Sequence, residues 1–95
     1  MNSTQNIEEE KNMEEVREFA KLISEKHNLT TYAVIIDDTY HILVKEYFDI
    51  DKIVDDLVDY CQPYIAANTL VSRDYLDEVD WETRTFTASD CRYYD

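Results

Sequence analysis

The chain has 95 residues and no glycine among them. Average usage is about 7%, so several would be expected. Their absence excludes the P-loop, the dinucleotide fingerprint, the EF-hand turn and the nucleophile elbow together, because each needs a Gly where only Gly fits. What remains must fold around apolar periodicity, and 44% hydrophobic residues are enough for one modest core.

The strongest periodicity lies between Phe48 and Cys61. Ile50, Ile53, Val54, Leu57, Val58 and Cys61 recur at the three-and-four spacing of one helical face. Asp51, Asp55 and Asp59 fall on the opposite side, four residues apart, with Asp56 close by. Each such step rises about 6 Å, so the reading is a helix with an apolar keel and a ladder of carboxylates. Asp49 suits its N-cap, and Phe48 can staple onto Ile53. Pro63 lacks a backbone donor and should stop or kink the helix near Gln62, with Tyr64 to Asn68 as a bent last turn.

An earlier helix is predicted from Ile7 to about His27, with Met13, Val16, Ala20 and Ile23 as its stripe and Phe19 and Leu22 widening it. Asn6 suits its start, His27 and Asn28 its finish, and residues 1–6 are expected to fray. Thr31 to Ile36 and Tyr40 to Tyr47 are β-forming runs separated by Asp37-Asp38-Thr39, which together read as a hairpin. Val34 and Ile36 share one face while Ala33 and Ile35 share the other, so the sheet is either covered on both sides or meets a partner, a second copy included. Asp74 to Glu82 reads as an irregular acidic stretch. Thr83 to Ala88 looks like a third strand, with Phe86 and Ala88 on one side. The expected architecture over residues 7–95 is a single α+β domain of order α-β-β-α-β, an antiparallel sheet with both helices mainly on one face.

Charge narrows the function. Nine Lys and Arg stand against 22 Asp and Glu, a net −13. On the scaling of surface with size that is one uncompensated negative charge per ~440 Å². Such a surface repels nucleic acid and anionic lipid, and favours basic proteins or cations. The excess is uneven: −3 over residues 1–29, −2 over 30–48 and −8 over 49–95. Like charges four apart on a helix are destabilising by a few tenths of a kcal/mol each, and Lys52 relieves only part of that. A partner that rewards the arrangement is therefore expected. DNA-holding clefts present rows of Lys and Arg, and a carboxylate row at ~6 Å intervals could occupy one. Asp51, Asp55, Asp56 and Asp59 are the expected contacts. Asp74, Asp77, Glu78, Asp80 and Glu82 would extend the surface, with Tyr75 and Trp81 either as interface anchors or as core. The plainer alternative is a solvated helix face on an acidic domain.

Other chemistries find less support. The Asp-rich segments supply oxygens for calcium but match no EF-hand loop, and His27 and His41 have no partner at zinc-ligand spacing. No metal, cofactor or catalytic residue is assigned, and no enzyme activity is expected. No apolar run approaches the ~20 residues of a membrane span, and the acidic N-terminus is no signal peptide. Cys61, on the keel, reads as a reduced core thiol rather than half of a disulfide with Cys91, consistent with the cytoplasm.

In size, charge and carboxylate spacing the chain resembles the small acidic inhibitors that phages and mobile elements direct against restriction or CRISPR nucleases. That likeness implies an inhibitor that imitates nucleic acid and blocks a basic DNA- or RNA-handling protein. It carries over no residue roles, since it rests on no motif. Two other readings are an immunity protein or antitoxin that neutralises a basic toxin, and an acidic adaptor that forms a homodimer through the apolar hairpin face.

Overall fold

The computed structural model describes residues 3–36 and 39–86, with the side chains of the first helix described from Glu10 onward. The elements run α1 (Ser3–His27), β1 (Thr31–Ile36), β2 (Thr39–Val44), α2 (Ile50–Tyr60), α3 (Pro63–Ala67), β3 (Thr69–Ser72), a short 3-10 turn (Leu76–Glu78), β4 (Val79–Asp80) and β5 (Thr85–Phe86). The α+β class and the leading α-β-β-α order are those expected.

α1 begins at Ser3 rather than Ile7. Nothing between these positions is a helix breaker, so the helical backbone extends through them. It ends as expected at His27. Asn28 takes the left-handed conformation (φ 58°), and the Leu29 amide donates back to the Ser24 carbonyl at 3.0 Å. With no Gly available, Asn supplies the left-handed cap. Two bulkier residues, Tyr75 (φ 63°) and Arg84 (φ 57°), do the same elsewhere. Each such position costs a non-Gly residue on the order of 1–2 kcal/mol. Local contacts offset this: Tyr75 stands edge-on to His41 and Phe86, at 5.8 and 6.2 Å between ring centres. Arg84 Nη2 donates to the Thr31 carbonyl at 2.8 Å.

β1 and β2 pair antiparallel from Ile36↔Thr39 to Thr31↔Val44. Thr39 thus belongs to the strand, and Asp37 and Asp38 lie outside the described residues. β2 ends at Val44, three residues short of the expected Tyr47. Beyond it the Lys45 amide still donates to the Thr30 carbonyl at 2.9 Å, and Glu46 accepts from the Thr30 amide and hydroxyl at 2.6 and 2.7 Å.

The sheet departs from the expected antiparallel form. Its third strand is Thr69–Ser72, parallel to β2, giving the order β1-β2-β3. The physical reason is the crossover: α2 and α3 carry the chain back along the sheet, so it enters β3 in the direction it entered β2. The stretch expected as the third strand contributes only Thr85–Phe86, which pairs with Val79–Asp80 in a separate two-stranded ribbon. Thr87 and Ala88 lie outside the described residues.

Two apolar clusters sandwich the sheet. Met13, Val16, Phe19 and Ile23 of α1 pack with Ile53, Leu57, Cys61 and Ile65 on the face carrying Ala33, Ile35, Ile42 and Val44. On the reverse face, Tyr32, Val34, Ile36 and Leu43 are covered by Val79, Phe86 and part of Trp81. All helices therefore lie on one side, as expected, and the small ribbon roofs the other. The hairpin's second apolar face is filled from within the chain.

Pro63 acts as a helix start. α2 ends at Tyr60, and Pro63 opens α3 at a position where its missing donor is harmless. Glu15 of α1 holds this corner, accepting from the Gln62 amide at 2.8 Å and from its side chain at 3.1 Å.

Candidate protein-interaction surface

α2 starts as the sequence predicts. The Asp49 side chain accepts from the Asp51 amide at 3.1 Å, and Phe48 packs half-buried against the cluster containing Ile53. From there the helix carries three rows at four-residue spacing. Ile53, Leu57 and Cys61 are buried. Asp51, Asp55 and Asp59 are exposed, and none of them makes an ion pair among the described residues. The third row departs from the expected keel: Ile50, Val54 and Val58 are 45, 42 and 64% exposed.

Sequence reasoning merged that third row with the core. The signal that separates them is width. Six apolar positions sweep about 140° of the helix, while the core takes a stripe of roughly 100°. The surplus row had to emerge on one flank.

Asp56 has a different fate from its neighbours. It lies on the flank facing α1, where its carboxylate meets Lys26 Nζ and His27 Nε2, each at 2.8 Å. Its side chain is 16% exposed. The hydrogen bond to His27, and then that to Lys26, hold its carboxyl below the ordinary value of 3.8. This group fastens α2 to the C-terminal turn of α1, and its charge is compensated at home. Tyr60 lies on the same flank, its ring 5.9 Å from that of Phe19.

The second acidic segment is placed elsewhere. Val79 and Trp81 pack on the reverse face of the sheet, so Asp77, Glu78, Asp80 and Glu82 belong to the ribbon layer, with the sheet between them and α2. Asp74 is exposed in the turn that leads to it. The sequence-predicted residues therefore divide into two groups on opposite layers, and the second does not prolong the ladder. One of its members serves its own turn. Asp80 Oδ1 accepts from the amides of Glu82 and Thr83 at 3.1 and 3.3 Å. Trp81 is partly buried in the roof and Tyr75 is 41% exposed but ring-packed, so both aromatics contribute to packing.

Arg17, Lys21 and Arg84 line a groove between α1 and β1, along with Glu14 and Glu18. Among the described residues no group of three or more His, Cys, Asp or Glu is placed to hold a metal ion. Cys61 is a free, buried thiol, and burial, helped by the Glu15 carboxylate, pushes it up to about 11. It is poorly suited to nucleophilic chemistry. Among the described residues no helix is long and apolar enough to cross a membrane.

No protein-family model, no curated protein and no solved structure matches this chain.

Proposed function

We propose that this chain binds and blocks a basic, nucleic-acid-handling protein through the outer flank of α2. The observation that carries the reading is the exposed row Asp51, Asp55 and Asp59, which makes no ion pair among the described residues, set on a helix whose other acid, Asp56, is paired with Lys26 and His27. A net charge of −13 would steer a cationic partner toward that row and make association fast and salt-sensitive. A cytoplasmic setting, where Cys61 stays reduced, belongs to the same proposal.

Imitation of nucleic acid is confined to this one row of about 12 Å, because the ribbon carboxylates lie on the other layer. A second reading, the immunity-protein or antitoxin type of partner-specific neutraliser, draws support from the exposed Ile50, Val54 and Val58. A groove built for a phosphate backbone has no use for an apolar row.

The test is affinity capture of basic proteins from a bacterial lysate, eluted at graded salt. The wild type is compared with D51N/D55N/D59N, and each captured protein is assayed for nucleic-acid binding with and without the chain. The expected result is a nucleic-acid-handling protein that the wild type captures and inhibits and the triple variant does not. An unchanged capture and inhibition profile would refute the reading. Excess duplex DNA separates the two forms, since it displaces a mimic and leaves a partner-specific inhibitor bound.

A further inference from the structure

The outer flank of α2 combines two features. Val54 and Val58 stand open on a helix whose adjacent Ile53 and Leu57 are 1 and 5% exposed. With Ile50 they form a straight apolar ridge about 12 Å long. The row Asp51, Asp55 and Asp59 runs parallel to it, about 100° further round the helix. On the other flank Asp56 is ion-paired with Lys26 and His27, and the partly exposed ring of Tyr60 lies 5.9 Å from that of Phe19 on α1. The free face is thus an apolar seam with an acidic border on one side only.

We propose that this seam receives an amphipathic basic helix of the partner. The incoming helix would lay an apolar ridge along Ile50, Val54 and Val58 and set Lys or Arg over Asp51, Asp55 and Asp59. The inference rests on the reading that α2 is the contact surface, and names the shape of what meets it. A straight ridge of residues four apart fits the grooves of a second helix at an axial distance of roughly 8–10 Å. An extended peptide binds chiefly by adding main-chain hydrogen bonds to a sheet edge, and a helix face offers none. A second copy of this chain is disfavoured by charge: a two-fold antiparallel pairing sets like flank against like flank, so the Asp row would face itself between two molecules of net −13. Nucleic acid and anionic membranes are repelled for the same reason. The seam wants apolar contact, its border wants cations, and a basic amphipathic helix supplies both.

The experiment is fluorescence anisotropy of three labelled peptides against the whole chain at graded salt. One is a helix-forming peptide of about 16 residues, with Leu on one face and Lys along one flank. The second is the same composition scrambled, and the third is oligolysine. The first peptide should bind at least about tenfold tighter than the scramble, and V54Q/V58Q should erase that margin. D51N/D55N/D59N should weaken all three peptides and flatten the salt dependence. Because Val54 and Val58 are exposed, V54Q/V58Q should keep its circular-dichroism spectrum and thermal midpoint. Equal binding of the first peptide and its scramble, with both still sensitive to the Asp row, would overturn the helix and leave the acidic contact standing. Indifference of all three to D51N/D55N/D59N would remove both. A dimer in sedimentation equilibrium that V54Q/V58Q dissolves would put a second copy on the seam and overturn the proposal.

Discussion

The two flanks of α2 each set aspartate beside apolar side chains and put them to different uses. Facing α1, Asp56 is held by Lys26 and His27 and Tyr60 packs near Phe19. Facing outward, Asp55 and its two companions make no ion pair among the described residues, and Val54 and Val58 are 42 and 64% exposed. Neighbours in sequence, Asp55 and Asp56 differ only in their angle on the helix. The difference teaches that net charge by itself says little. What matters is which carboxylates the fold has already used.

The sharpest way to break this comparison is by truncation. Leu57→Ala, on the buried row, should cost about 2–5 kcal/mol, whereas Val58→Ala should stay within about 0.5 kcal/mol. Urea unfolding of the two variants measures both. A large loss at Val58 would mean that the outer row supports the fold.

Charge offers the next contrast. Asp56→Asn should destabilise by about 1 kcal/mol, while D51N/D55N/D59N should leave stability unchanged or raise it by about 0.2–0.5 kcal/mol per relieved pair. The pH dependence follows with a definite sign. A carboxyl held below its ordinary 3.8 contributes stability that is full above that value and is lost as pH falls through the depressed one. Acid titration below about pH 4 should therefore narrow the gap between wild type and D56N. Glu46, lowered chiefly by the Thr30 amide, should behave alike in E46Q. A gap that persists at low pH would show that Asp56 acts through something other than its charge.

Smaller effects sharpen the edges. Asn28→Ala should cost about 1 kcal/mol, because Ala tolerates the left-handed cap poorly, and Asn28→Gly should be close to neutral. Cys61, buried and with its ionisation pushed up to about 11, should react with iodoacetamide only as fast as the chain unfolds. Mass spectrometry of the peptide carrying Cys61 reads this directly.

Much of the fold was legible in the sequence. The helix periods, the Asp49 cap, the Asn28 finish and the two-faced hairpin each follow from local pattern. β3 was not, because Thr-Leu-Val-Ser is four residues without alternation strong enough to separate it from the turn before it, and its pairing depends on where α2 and α3 deliver the chain. The ribbon of β4 and β5 was missed for a similar reason: Val79 and Phe86 read as an acidic stretch and a strand until the sheet's second face demands a roof. At the candidate site the carboxylate ladder was legible and its limits were not. Asp56 leaves the ladder because α1 ends beside it, and the ribbon acids leave because they fold over the opposite face. Both are facts of tertiary placement that spacing along the chain does not encode.

The most direct measurement is a titration of the isotope-labelled chain with the basic amphipathic peptide, followed by amide NMR shifts. Shifts concentrated on Ile50 to Asp59, with Asp77 to Glu82 unmoved, are the predicted outcome. Shifts centred on the ribbon, or spread evenly over every exposed acid, would contradict it.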